Sequence, residues 1–197
     1  MPEISPFVIL FAAVFTNNIL LVYFLGMCSF IAVSNTTQTA LGLGAAVTFV
    51  SVLTAAAGWP VYHLVLVPLG LEYLQFIVFI VLIAGLVQFV EMVIERKSQT
   101  LYDNLGIFLP LITVNCAILG LCLFMVNWRY GFLQSVAWGA GSGLGWFVAV
   151  VALAGLRQKI RFSKVPPALE GPGITIVVAG TMAMAFMGFA TTMVAIR

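Results

Sequence analysis

The chain has 197 residues, of which 63% are hydrophobic and 7% are charged, with a mean hydropathy of +1.18. Soluble domains carry about 25% charged residues, so this composition excludes a water-soluble globular protein. The formal net charge of +2 is too small to favour nucleic-acid binding. The composition therefore predicts an all-α membrane protein whose surroundings are mostly lipid.

Uncharged stretches divide the chain into six predicted transmembrane helices. The stretch between Glu3 and Glu72 has 68 uncharged residues, enough for two spans of about 20 residues each. A Gly-Trp-Pro sequence at 58–60 is expected to end the second span, followed by an irregular stretch to Gly70. We expect one membrane domain over 1–197, with spans at about 6–33, 39–58, 73–95, 102–125, 132–156 and 172–195.

Basic residues predict the orientation. Six of the eight fall in the loops after spans three and five, which lie on one side of the membrane if there are six spans. The positive-inside rule makes that side cytoplasmic, and both termini are then expected outside. These residues are Arg96, Lys97, Arg157, Lys159, Arg161 and Lys164.

The order of features suggests two inverted three-helix repeats, at about 1–98 and 99–197. Gly-Leu-Gly occurs at 42–44 in span two and at 143–145 in span five, and spans one and four each hold a cysteine. A three-span copy enters the membrane in the opposite direction, as in transporters built around a midplane site. Alternating glycines from 139 to 145 predict close helix packing.

Span one is expected to be broken near a cysteine. Asn17 and Asn18 are polar in mid-span, and Gly26 and Cys28 follow. Lipid offers no hydrogen-bond partner to such side chains, so we expect them to face protein or a cofactor.

Span four has a similar set of residues. Pro110 lacks a backbone N–H and is expected to break the helix, and Thr113 and Asn115 lie just before Cys116. A half-helix N-terminus at this place would stabilise a thiolate or an anionic cofactor. We therefore expect Pro110, Thr113 and Asn115, together with the glycine before the first cysteine, to surround one shared site.

Cys28 and Cys116 leave two interpretations open. Cysteine often serves only as a small buried hydrophobe, and Cys122, in an apolar context, is interpreted that way. As ligands, two thiolates are too few, because iron–sulfur clusters and structural zinc sites usually need four. A metal site would then require ligands from another chain, in a hetero-oligomer or a symmetric dimer.

Glu91 is a candidate for an ion pathway. It lies about one turn deeper than Glu95 and Arg96, which are expected at the cytoplasmic end of span three. Carboxylates within membranes are costly and often mark ion paths, although interfacial solvation or pairing with a basic residue would also explain Glu91. No P-loop or dinucleotide fingerprint is present, so NADH and ATP are not expected to bind this chain directly.

Four sequence blocks resemble the E subunit of the bacterial sodium-translocating NADH:quinone oxidoreductase. The A subunit of the related Rnf ferredoxin:NAD oxidoreductase is a close sibling, and the third and fourth blocks favour the quinone reductase. The blocks are LGMC at 25–28 with AVS at 32–34, LGIFLPLITVNCAILG at 105–120, GSGLGW at 141–146 with ALAGLR at 152–157, and VPP at 165–167 through GIT at 173–175 to AFMGF at 185–189.

The resemblance implies a homologous D-type partner subunit of opposite topology, with two cysteines from each chain holding a [2Fe–2S] cluster. Cys28 and Cys116 match those positions, and Glu91 matches a membrane carboxylate for which a role in sodium uptake is proposed. The complex passes electrons from NADH to ubiquinone and exports Na⁺, with NADH and flavins bound by other subunits. The resemblance also implies a place in the bacterial inner membrane, where both termini would be periplasmic.

Three alternatives stay open. The first is the A subunit of the Rnf complex, with the same architecture and different redox partners. The second is a cofactor-free solute transporter, which would contain no iron and would tolerate serine at both cysteine positions. The third is a purely structural protein needed for assembly of a complex.

Overall fold

All regular secondary structure is helical in the described part of a computed structural model, which covers residues 5–97, 109–160, 162 and 171–194. A π-helical turn, Tyr62–Leu66, joins α3 to α4, and a 3₁₀ turn, Glu72–Leu74, precedes α5. The helices are α1 Pro6–Val14, α2 Met27–Val33, α3 Thr37–Val61, α4 Val67–Leu69, α5 Gln75–Lys97, α6 Leu109–Thr113, α7 Cys116–Asn127, α8 Phe132–Ile160 and α9 Pro172–Val194.

The chain is a multi-pass membrane protein, as its composition predicts. Among the described residues, three helical segments are long and apolar enough to cross a membrane: Thr37–Leu69, Glu72–Val93 and Phe132–Ile160. Two shorter apolar helical segments, Leu111–Asn127 and Pro172–Gly188, overlap the predicted fourth and sixth spans. The full count of six spans stays a prediction.

Span one is broken, as predicted, because residues 15–26 between α1 and α2 are not helical. Asn18 is buried there, and its Oδ1 accepts hydrogen bonds from the Leu20 and Leu21 N–H groups at 3.0 and 3.2 Å. Its Nδ2 donates to the Val14 carbonyl at 3.0 Å. The side chain thus replaces partners that the backbone loses where α1 ends.

Span four is also broken, and in its described part the interruption lies between Thr113 and Cys116. Pro110 is the second residue of α6. Asn115 has an extended backbone and caps α7, because its Oδ1 accepts the Ala117 N–H at 3.0 Å. The asparagine cap thus starts a new helix here.

The helix of span two does not stop at residues 58–60, where the sequence predicts the end of the span. The helical backbone continues through Pro60, and Thr37–Leu69 forms one apolar segment of 33 residues. Backbone groups in lipid need partners within the chain, and the π-helical turn Tyr62–Leu66 continues the backbone hydrogen bonding after the proline. The segment ends instead at Gly70, with φ of +64°, where the Leu71 N–H donates to the Leu66 carbonyl at 3.1 Å.

The glycines of α8 allow this helix to pack between two others, which confirms the predicted close packing. A Cβ at Gly143 would lie 2.7 Å from Thr48 Cα on α3, and a Cβ at Gly141 would lie 2.7 Å from the Leu10 carbonyl oxygen on α1. Positions four apart share a helix face. Gly139 and Gly143 therefore face α3, while Gly141 and Gly145 face α1.

Three long-range hydrogen bonds show which span ends lie together. Arg157, near the end of α8, donates to the Ile31 carbonyl at 3.0 Å and to Ser34 Oγ at 2.7 Å, at the end of α2. Trp59 Nε1, late in α3, donates to the carbonyl of Tyr130, just before α8, at 2.9 Å. The ends of spans one and five therefore meet on one side, and the end of span two meets the start of span five on the other.

Candidate functional site

The two candidate ligands lie at corresponding places in the two broken spans. Cys116 is the first residue of α7, and Cys28 is the second residue of α2. Both side chains are exposed at the surface of this chain, whereas Cys122 is buried. A group held by Cys28 or Cys116 could thus also be reached by a neighbouring chain, while Cys122 serves packing.

A direct hydrogen bond joins the two breaks. The Gly26 N–H donates to Cys116 Sγ at 2.9 Å, across 90 positions of sequence. The Gly26 backbone has φ of +85°, a left-handed conformation that glycine adopts without a steric penalty. The start of α7, where the helix dipole is positive, lies at the same residue. The Gly26 N–H and the start of α7 thus both bring partial positive charge near the sulfur of Cys116.

A second link runs between the breaks through Ser29. Asn115 Nδ2 donates to Ser29 Oγ at 3.2 Å, and Ser29 Oγ donates to the Gly26 carbonyl at 3.0 Å. Asn115 and Ser29 are both buried. The sequence analysis did not select Ser29, although it lies three residues after Gly26, the spacing at which a helical serine bonds back to a carbonyl.

The space above Gly26 is closed by three side chains. A Cβ at this position would lie 2.9 Å from Trp146 Nε1, 3.0 Å from Asn115 Oδ1 and 3.1 Å from Ala117 Cβ. Trp146 is 1% exposed, and its Nε1 has no hydrogen-bond partner among the described residues. Sequence reasoning placed Trp146 in a family-like block without giving it a role, because nothing local connects it to Gly26.

Apolar side chains flank the two thiols on the surface. Phe24, two residues before Gly26, is 48% exposed, and Val114, two residues before Cys116, is 75% exposed. Both belong to the non-helical breaks. The surface beside the cysteines is therefore suited to lipid or to another membrane protein, rather than to water.

The remaining predicted site residues are on α6 and α5. Thr113 is the half-buried last residue of α6, and the side chain of Pro110 lies outside the described part. Glu91 is on α5, half-buried, one turn before the exposed Glu95. Within the described residues, no three His, Cys, Asp or Glu side chains gather as a metal site. This chain alone thus offers, in its described part, two thiols at the candidate site.

Comparison with known proteins matches the chain to one family over nearly its whole length. The model of the family described as "Rnf-Nqr subunit, membrane protein" matches residues 7–193. The chain is 50% identical over 182 residues to the A subunit of the ion-translocating oxidoreductase complex of Syntrophotalea carbinolica, covering 92% of this chain and 94% of the relative.

Two further relatives have comparable similarity. The chain is 48% identical over 181 residues to the A subunit of the Na⁺-translocating ferredoxin:NAD⁺ oxidoreductase complex of Acetobacterium woodii, covering 92% and 94% of the two chains. It is 50% identical over 188 residues to the E subunit of the Na⁺-translocating NADH-quinone reductase of Yersinia pestis, covering 92% and 95%. The chain belongs to the Rnf-Nqr family of membrane subunits.

Proposed function

We propose that this chain is a membrane subunit of an ion-translocating oxidoreductase and that Cys28 and Cys116 supply two of the four thiolates of an intramembrane [2Fe–2S] cluster. Relatives of about 50% identity over most of the chain are named as subunits of such complexes. The single observation that carries the site is the Gly26 N–H donated to Cys116 Sγ between the two breaks.

The residues present fit such a cluster. Its ligands are thiolates, and hydrogen bonds to the ligand sulfurs are a common means of setting its potential. The exposed positions of Cys28 and Cys116 leave room for two cysteines from a homologous D-type partner. When bound, the cluster would supply a one-electron carrier within the membrane. This chain would hold its share of the cluster, tune the sulfur of Cys116 and exclude water with the apolar surface around it.

We favour a Na⁺-translocating NADH:quinone oxidoreductase, with NADH, flavins and ubiquinone bound by other subunits. The sequence blocks at 141–157 and 165–189 support this choice. The ferredoxin:NAD complex is the second candidate, because its A subunit is 48% identical to this chain, close to the 50% of the quinone reductase relative. Oxidation of NADH by ubiquinone, measured against reduction of NAD by reduced ferredoxin in the purified complex, separates the two.

The cluster assignment is tested with cysteine variants of the intact complex. Cys28→Ser and Cys116→Ser are each expected to abolish the cluster signal in low-temperature electron paramagnetic resonance and to lower iron and acid-labile sulfide. Cys122→Ala is the matched control, since Cys122 is buried and is expected to keep the cluster.

Two outcomes would contradict the assignment. An unchanged cluster signal in both serine variants would place the ligands elsewhere. Absence of iron and sulfide from the wild-type complex would favour the cofactor-free transporter. The comparison requires that the variant complexes are fully assembled, which co-purification of the other subunits checks.

We also propose Glu91 as a carboxylate of the ion path, because it is half-buried one turn inside the exposed Glu95. Glu91→Gln is expected to raise the Na⁺ concentration needed for half-maximal turnover, whereas Glu95→Gln is expected to leave it unchanged. Equal behaviour of the two variants would assign Glu91 to interfacial solvation.

A further inference from the structure

Two separate hydrogen-bonded links connect the broken spans, and they meet at Gly26. The first is the Gly26 N–H donated to Cys116 Sγ at 2.9 Å. The second runs from Asn115 Nδ2 to Ser29 Oγ at 3.2 Å and from Ser29 Oγ to the Gly26 carbonyl at 3.0 Å. Because Asn115 and Cys116 are neighbours in sequence, the two links close a ring.

A ring of hydrogen bonds restricts the relative movement of the two helix ends more than a single hydrogen bond does. One N–H···S contact between two helix ends leaves the ends free to rotate and slide, and sulfur is a weak acceptor when uncharged. With a second attachment at the carbonyl of Gly26, both polar groups of this residue are held. Ser29 is fully buried and Asn115 is 2% exposed, so water competes little for these bonds.

We propose that Ser29 and Asn115 are positioning residues that hold the Gly26 N–H on the sulfur of Cys116. The inference rests on the proposed function for its redox consequence. An N–H directed at a ligand sulfur stabilises the more negatively charged, reduced form of a cluster. By holding the Gly26 N–H in place, Ser29 and Asn115 therefore raise the reduction potential of the cluster. Neither residue needs to touch the cluster to have this effect.

Two substitutions remove the hydrogen bonds between Asn115, Ser29 and the Gly26 carbonyl while keeping the helices. Ser29→Ala removes the bridging hydroxyl. Asn115→Ser removes the Nδ2 donor but keeps a side-chain oxygen that can cap α7, because serine is also a preferred capping residue. Ser135→Ala is the matched control: Ser135 is a fully buried serine on α8 whose hydroxyl has no hydrogen-bond partner among the described residues.

The first measurement is the midpoint potential of the cluster in the intact complex, with iron, sulfide and resonance spectra recorded on the same samples. Both test variants are expected to keep the iron, to shift the potential to more negative values and to change the spectral g-values. A tenfold loss of reduced-state stabilisation would be about 59 mV for this one-electron couple. Ser135→Ala is expected to match the wild type.

The second measurement does not depend on iron. Hydrogen exchange at the Gly26 amide, resolved by fragmentation mass spectrometry, is expected to quicken severalfold in both test variants and not in Ser135→Ala. Unchanged exchange at Gly26, or an unchanged potential in iron-replete variants, would overturn the proposal. If the wild-type complex lacks iron, the cluster assignment fails, and the exchange rates alone decide whether Ser29 and Asn115 position Gly26.

Discussion

Gly26 combines two constraints at one residue, a left-handed backbone and a filled space where a side chain would begin. Its φ is +85°, and a Cβ there would lie 2.9 Å from Trp146 Nε1. Gly70 has a similar φ of +64°, but nothing lies within 4 Å of its Cβ position. The two glycines therefore allow the cost of the backbone and the cost of the clash to be measured separately.

We predict that Gly26→Ala lowers the thermal midpoint of the purified complex more than Gly70→Ala does. A left-handed conformation costs an alanine about 1–2 kcal/mol at either position, and only at Gly26 must Trp146 or Asn115 also move. The N–H···S contact to Cys116 should be lost with that movement, so cluster content should fall only in Gly26→Ala. Equal losses of stability and of cluster in both variants would contradict this account.

At the residue scale, the sequence pointed to those residues whose type is unusual for their position in an apolar span. Cysteine, glycine and asparagine beside one another in an apolar span are unusual, and this pattern located Gly26, Asn115 and Cys116. Ser29 and Trp146 were missed because their roles depend on contacts between α2, α7 and α8, which lie far apart in the chain. Residue types alone cannot supply such contacts.

At the scale of elements, α8 is the helix on which the packing depends. Its glycines let it approach α3 on one face and α1 on the other. Small residues are the usual means of close helix association in membranes, where the hydrophobic effect does not drive helices together.

We predict that Gly143→Ala destabilises the protein and that Gly155→Ala does not. A Cβ at Gly143 would meet backbone, Thr48 Cα at 2.7 Å, so α3 and α8 would have to separate, at a cost of about 1–3 kcal/mol. Gly155 lies on the same helix with nothing within 4 Å, and alanine there should stabilise the helix by about 0.5–1 kcal/mol. Thermal unfolding of the two variants in one detergent checks the difference, and a reversed order would contradict it.

The helix boundaries show where sequence patterns were sufficient to predict the start or end of a helix. The starts of α8 at Phe132 and α9 at Pro172 coincide with the predicted spans, because turn residues precede both. The helix of span two continues past its predicted end, because the helical backbone accommodates Pro60.

At the scale of the whole molecule, the contacts between span ends agree with alternating spans. Arg157 meets Ile31 and Ser34 on one side, and Trp59 meets Tyr130 on the other. These contacts give relative sidedness, whereas the cytoplasmic assignment depends on the basic residues alone. The inverted repeat remains a prediction at this scale.

We predict that reporter fusions after Tyr130 and after Ile160 give opposite results. Alkaline phosphatase should be active after Tyr130, in the periplasm, and a green fluorescent protein should fluoresce after Ile160, in the cytoplasm. The reason is the retention of Arg and Lys on the cytoplasmic side. Each reporter at the other position is the control, and a reversed pattern would invert the assigned orientation.

The uninterrupted helical segment Thr37–Leu69 has a consequence for the surrounding bilayer. Its 33 residues correspond to about 50 Å, whereas the hydrocarbon layer is about 30 Å thick. Tilts of membrane helices rarely exceed about 40°, which cannot hide this length. At least one end of the segment must therefore extend into the headgroup region, and the end after Pro60 carries the largely exposed Leu64 and Leu69. The thickness of the bilayer, and so the chain length of its lipids, therefore determines how much of this helical segment lies in the hydrocarbon layer.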